Sequence, residues 1–302
     1  MTGIDTRGYV LLPGLINAHD HLEFNLYPRL GCGPYPNCKA WANDIFAPDR
    51  EPIKRHQSVP KRLRLLWGGI KNLLSGVTCV CHHNRREDPT LDDEFPVRVV
   101  KRFGWAHSLD FDPDVGKRFR ATPKSWPFIV HLGEGTDGHA AEEIFKLHEM
   151  GALDERTVLV HGVALDNEGV ALVRKCGGSL IWCPSSNLFV LGRTLAAGVL
   201  RSGIPIALGS DSGLTADGDL RDEMRVARRS VDCQAVYRMV TAAPRRMLRI
   251  HGRWARDVAW YRDLGLSKAE TLVDGGPPDA VMVGGRIQLA SENFVERLPA
   301  AL

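Results

Sequence analysis

FIVHLGEGTDGHAAEEIFKLHEMGALDERTVLVH, residues 128–161, carries two short apolar runs on either side of a helical pattern. "FIVH" and "TVLVH" are rich in β-branched residues and read as buried strands. Between them, "GHAAEEIFKLHEMG" places Ala141, Ile144, Phe145 and His148 on one helical face, with Gly151 as its stop. A strand, a helix and a strand make one parallel crossover unit.

The pattern continues downstream. "DNEGVALVRKCGG" predicts a helix capped by Asp166 or Asn167 and stopped at Gly177. "SLIWC" is a strand, "TLAAGVLRSG" a helix and "IPIALGSD" a strand. Upstream, "YVLLPGLINAH" and "SGVTCVCHH" read as strands, separated by a long loop and the helix "VPKRLRLLWGGIKNLLSG". Continuous apolar strands alternating with helices suit a closed parallel barrel. The expected fold class is α/β, a (β/α)8 TIM-like barrel. The middle fits it badly. Two strand–helix units are needed between "VTCVCHH" and "PFIVH", yet only "VRVVKRFGWAHS" reads as a strand, and residues 84–96 are polar and loop-like. A barrel distorted or shortened in its middle is therefore expected.

The strand ends hold the chemistry. In "PGLINAHDHLEFN", residues 13–25, alternation sends His19 and His21 to one face and Asp20 to the other. At the C-terminal mouth of a barrel, two such imidazoles begin a metal site. A pair like this also serves as a hydrogen-bonded loop anchor, and a lone strand-end histidine is commonly structural. The recurrence changes the balance: "FIVH" ends in His131, "VLVH" in His161 and "ALGSD" in Asp211. Zinc takes His nitrogen and Asp oxygen at about 2.0–2.2 Å and leaves a position for water in catalytic sites. Glu134, three residues past His131, is placed to move a proton.

"PGLINAHDHL", "HLGEG", "LVHGVALD", "CPSSNLFVLG" and "IALGSDSGLTADGDL", in this order, resemble the metal-dependent amidohydrolase superfamily. The similar branch holds atrazine chlorohydrolase and the cytosine, guanine and S-adenosylhomocysteine deaminases. The resemblance runs from Pro13 to about residue 290. It implies one divalent transition metal per chain, zinc first and iron or manganese next, held by His19, His21, His131 and Asp211. It implies Glu134 as proton shuttle. His161 would polarise the attacked group or orient the water, and Asp211 would accept a proton from that water. No lysine ends a convincing strand between His21 and His131, which disfavours the two-metal, carbamylated-lysine version.

The chain departs from that pattern. The family's β-sandwich is built from both termini, and here it is reduced. Residues 1–12 read as a sandwich remnant, 13–270 as the barrel, and 271–302, with "PDAVMVGGRIQLA", as the returning strands. The long first loop brings Glu23, Asn25, Tyr35 and Trp41, read as pocket wall or as a packed loop. His82 or His83 ends the second strand and His107 with Ser108 the next; each is a pocket residue or plain packing. Ser185, Ser186 and Asn187 follow "SLIWC" as substrate contacts or as turn and cap residues.

Composition excludes other classes. The chain has 302 residues, 39 basic against 36 acidic, and a net charge of +3, with no basic tail. Nucleic acid and membrane surfaces are not expected partners. Arg225–Arg229 reads as the solvated face of a helix. The first residues lack a signal-peptide pattern. Seven scattered cysteines argue against a disulfide framework and for the cytoplasm. Cys32 and Cys38 alone make a poor zinc knuckle. No G-x-S-x-G elbow and no nucleotide-binding glycine fingerprint is present. The expectation is a hydrolase of carbon–nitrogen bonds other than peptide bonds. A deaminase of a small nitrogen heterocycle comes first. The alternatives are cyclic amide hydrolysis, displacement of another leaving group, or a catalytically impaired ligand-binding barrel. A small-molecule substrate is the expected partner, and a homo-oligomer is compatible with the chain.

Overall fold

A computed structural model describes residues 4–84, 88–92, 94–216, 218–252 and 256–298. Twelve strands are named in chain order: β1 (Tyr9–Pro13), β2 (Leu15–Asp20), β3 (Val77–His82), β4 (Arg98–Val99), β5 (Gly104–Trp105), β6 (Phe128–Leu132), β7 (Thr157–His161), β8 (Ser179–Trp182), β9 (Ile206–Leu208), β10 (Val258–Arg262), β11 (Ala280–Val283) and β12 (Arg286–Ala290). The parallel strands form two sheets, β2-β3-β4 and β5-β6-β7-β8-β9. An isolated parallel bridge between Asp20 and Asp211 joins β2 to the segment after β9. No pairing joins β4 to β5 among the described residues. A separate antiparallel sheet, β1-β10-β11-β12, draws on both ends of the chain.

Two apolar layers follow from strand alternation. Ile16, Ala18, Cys79, Ile129, Val158 and Ala207 point into one enclosed core shared by both parallel sheets. Leu15, Val80, Val130 and Leu159 point the other way, toward Leu65, Ile144 and Val173 on the covering helices. Helix Lys61–Leu74 follows β2, and Gly138–Glu149 and Asn167–Cys176 follow β6 and β7. Asp166 caps the last of these by accepting from the Gly169 N–H at 2.8 Å, and Gly177 ends it at φ 80°.

Several expectations are corrected. "YVLLPGLINAH" is two strands in two sheets, parted at Gly14, where a Cβ would collide with the Thr78 side chain. "VRVVKRFGWAHS" is two strands of two residues each, β4 and β5, linked by four residues without a helix. The helix in "TLAAGVLRSG" covers only Ala197–Leu200. On Gly138–Glu149 the buried face is Ala140, Glu143, Ile144 and Leu147, one residue off the expected one. The shift arises because the Glu143 carboxylate turns inward to accept the Gly133 N–H at 2.6 Å. Arg225, Arg228 and Arg229 are exposed at the end of helix Leu220–Ala227 and just past it.

Candidate metal centre and active site

Each strand-end side chain is aimed inward by a different local device. On β6, Ile129 faces the enclosed core, so His131 follows it by simple alternation. On β2 that rule fails. Ile16 and Ala18 face the enclosed core, a phase that would also point Asp20 inward. Three steps from Asn17 to Asp20 pair with only two from Val80 to His82, so β2 holds one extra residue. This bulge reverses the phase and turns His19 and His21 inward. Asp20 turns outward to Asn72 at 2.8 Å, Ser210 at 3.0 Å and Asn25 at 2.7 Å. His161 shares its phase with outward-facing Leu159, but its backbone sits at φ 76° and redirects the ring. Asp211 sits at φ 57°. Left-handed backbone at a residue other than glycine costs about 1–3 kcal/mol and collects at functional sites.

The five groups converge. His19 Nε2 lies 3.2 Å from His131 Nε2, and Asp211 Oδ1 lies 3.6 Å from the Nε2 atoms of both His19 and His21. A tetrahedral zinc with nitrogen and oxygen ligands separates its donors by about 3.4 Å. The donor set therefore fits one such ion. The groups around the ligands fix which atoms face it. His131 donates from Nδ1 to the His107 carbonyl at 2.8 Å, leaving the Nε2 lone pair inward. His21 Nδ1 donates to Asn84 Oδ1 at 3.0 Å, because Asn84 Nδ2 already donates to Glu23 at 2.8 Å. Asp211 Oδ2 accepts from Ser186 at 2.6 Å and Thr215 at 3.0 Å, leaving Oδ1 for the ion.

His161 is set up otherwise. Asn187 Nδ2 donates to its Nδ1 at 2.8 Å, so the neutral ring carries its hydrogen on Nε2, 3.5 Å from Glu134 Oε2. That makes His161 a donor rather than a lone-pair ligand, although its Nε2 is close enough to form a metal group with His19 and His131.

Burial decides the protonation states. It lowers the pKa of His19 and His131, and takes His161 to about 3 and His107 to about 4. Neutral imidazole is the metal-ligating form. Burial, reinforced by Asp211, pushes Glu134 well above the usual carboxylate range, which favours its protonated form. Burial works against ionisation of Asp211 too, but the His19 ring beside its carboxylate lowers its pKa below the usual carboxylate range.

Other expected residues lie elsewhere. Asn25 is buried between Asp20 and Lys71, whose Nζ donates to it at 2.8 Å. Glu23 reaches the centre only through Asn84. Trp41 donates to the Leu30 carbonyl at 2.8 Å and packs with Tyr35 around Val163 and Val190. His82 points outward and accepts the Leu22 N–H at 3.2 Å. His83, in phase with Cys79 and Cys81, meets the His131 ring edge-on at 4.4 Å and the His19 ring edge-on at 5.0 Å. Asn187 is fully buried against His161. Asn84, Thr215 and Glu143 are additions from the structure. Neither Cys32 nor Cys38 joins a metal-ligating group among the described residues, and both are free thiols.

Strand ends converging on one donor set, with an acid beside them, define a metal-dependent hydrolase. The amidohydrolase family pattern matches residues 124–287, more than half of the chain, and the chain belongs to that family. It is an amidohydrolase-type enzyme acting on carbon–nitrogen bonds other than peptide bonds. A 5-methylthioadenosine/S-adenosylhomocysteine deaminase of Pyrococcus furiosus is 22% identical over 97% of this chain and 86% of its own length. Its counterpart in Natronomonas pharaonis is 31% identical over 74% of this chain, which spans 63% of that relative. The fold resembles a zinc-bound adenosine deaminase from Xanthomonas campestris, with TM-score 0.72, 16% identity, and coverage of 97% of this chain and 83% of that one. It also resembles a zinc complex of atrazine chlorohydrolase from Arthrobacter aurescens, with TM-score 0.71, 17% identity, and coverage of 97% and 89%. The Pyrococcus alignment runs to 380 positions, longer than this chain, so that relative carries residues this one lacks. No helix among the described residues is long and apolar enough to cross a membrane.

Proposed function

We propose that the chain is a metal-dependent hydrolytic deaminase of a small nitrogen heterocycle, with a 6-aminopurine nucleoside as its substrate class. The purine preference rests on the names of the relatives. The observation that carries the mechanism is the placing of Glu134 and His161 beside four inward donors. His19, His21, His131 and Asp211 would hold the ion, zinc by donor chemistry, with iron and manganese compatible. The bound ion would supply the positive charge that makes a water acidic near neutral pH.

The side chains then divide the proton work. Asp211 accepts a proton from the attacking water, its carboxylate held in place by Ser186 and Thr215 at Oδ2. Glu134, protonated through burial, delivers its proton from Oε2 to the ring nitrogen next to the attacked carbon. His161 donates from Nε2 to the developing oxygen. Water adds to the carbon, the carbon–nitrogen bond breaks, and the amine leaves as ammonia with the protons carried by Glu134 and Asp211. The eight parallel strands are read as a (β/α)8 barrel left open between β4 and β5. Seven free cysteines support a reducing, cytoplasmic setting.

The test is ammonia release by zinc-replete protein from adenosine, 5′-methylthioadenosine, guanine, cytosine and a triazine. Release from an aminopurine nucleoside supports the reading. Ring opening without ammonia assigns cyclic amide hydrolysis instead, and no turnover of any compound overturns the enzyme.

A further inference from the structure

A cavity of about 680 Å³ lies beside β4, away from the metal centre. Its lining residue Cys79, on β3, precedes His83 by four residues, roughly 13 Å at the rise of a strand. The cavity opens where β4 and β5 are joined directly by residues 100–103, with no covering helix. Its floor is apolar: Phe95, Val97, Val100, Leu248 and Val283 line it and are buried. Among the described residues, its walls also carry Arg98, Lys101, Arg102, Arg249 and Arg286, with Asp92 as the one lining carboxylate. Arg98 is matched by Asp257 at 2.7 Å. Arg249 donates from Nη1 to the Lys124 carbonyl at 2.7 Å and keeps its other guanidinium nitrogens for further contacts.

We propose that this cavity is a second ligand site, for a phosphorylated organic anion of nucleotide size. Volume suits it, since small-molecule sites span about 300–1,000 Å³. Three guanidinium groups arrive from separate segments: Arg102 after β4, Arg249 after helix Ala242–Met247, and Arg286 on β12. A monocarboxylate engages one such fork, whereas several phosphate oxygens engage all three. The apolar floor takes the body of the ligand. Neither the metal ligands nor Glu134 line this cavity, so the site stands independently of the deaminase reading.

The experiment is calorimetric titration of the zinc-replete full chain with ADP, inorganic pyrophosphate and adenosine at low salt. ADP is expected to bind and to weaken as salt rises. The paired change Arg102→Glu with Arg286→Glu is expected to weaken ADP at least tenfold while metal content and melting temperature hold. Should that protein fail to fold, Arg102→Gln with Arg286→Gln reads the same loss at smaller size. Absence of ADP binding at millimolar concentration overturns the site. So does binding that survives the paired change, or pyrophosphate binding as tightly as ADP.

Discussion

Asn187 donates to His161 across 2.8 Å, both side chains enclosed, and so decides which ring nitrogen of His161 carries hydrogen. As placed, only the Oδ1 of the Asn187 amide lacks a partner among the described residues; reversing the amide would put its NH2 group, with two donors, in that unpartnered position, the costlier arrangement. Asn187→Ala is expected to lower kcat about 10- to 100-fold, the usual range for a partner one step behind the reacting group. Metal per chain should stay at one. If metal is lost together with activity, His161 is a ligand and not a donor.

Removing His19 or His21 deletes a donor facing Asp211 at 3.6 Å. His19→Ala and His21→Ala should each carry well under one metal per chain by elemental analysis. The wild-type protein should melt higher with zinc than after chelation. Binding confined to the folded state adds roughly 4 kcal/mol when free metal is a thousandfold above Kd. An unchanged melt after complete metal removal would contradict a shared site.

Glu134→Gln keeps the volume of the side chain and removes its transferable proton. Turnover should fall about 10²- to 10⁴-fold, with metal content unchanged. His131→Ala should differ in kind, losing metal and turnover together, since His131 Nε2 sits 3.2 Å from His19 Nε2. Wild-type rates in Glu134→Gln would remove it from the proton path.

Glu223 is fully buried under Ser185, whose N–H it accepts at 2.9 Å, and burial raises its pKa to about 8. An unfolded glutamate ionises near 4.5. The folded chain therefore holds a proton there that the unfolded chain releases, between about pH 4.5 and 8. Its stabilising contribution is full below 4.5 and is lost as pH rises to 8, by up to roughly 1.4 kcal/mol per pH unit. Glu223→Gln should flatten this part of the stability–pH curve. Urea melts at pH 5, 6.5 and 8 compare the two proteins, and identical slopes would place the ionised form in the fold.

The inward aim of His131 was legible because β6 alternates without interruption. His83 was equally legible by its phase with Cys79 and Cys81, which sets it apart from His82. His19 and His21 were found by spacing, but the phase inherited from Ile16 and Ala18 would have turned them outward; the bulge was invisible in the residue types. His161 depends on a single left-handed backbone angle that no periodicity announces. β4 and β5, two residues each, are too short to leave a pattern. Asn84, Thr215 and Glu143 are ordinary polar residues until packing brings them to His21, Asp211 and Gly133.

The bridge at Asp20 and Asp211 makes the donor site a mechanical seam. The His21 N–H donates to the Asp211 carbonyl at 2.8 Å, and the Asp211 N–H to the His19 carbonyl at 3.1 Å. The peptide groups that stitch the two parallel sheets together belong to the same residues whose side chains form the candidate donor group. An ion held by those side chains is expected to tighten that seam. The amide hydrogens of His21 and Asp211 act as a built-in gauge of occupancy, exchanging slowly while the seam is clasped and fastest when chelation lets the sheets part.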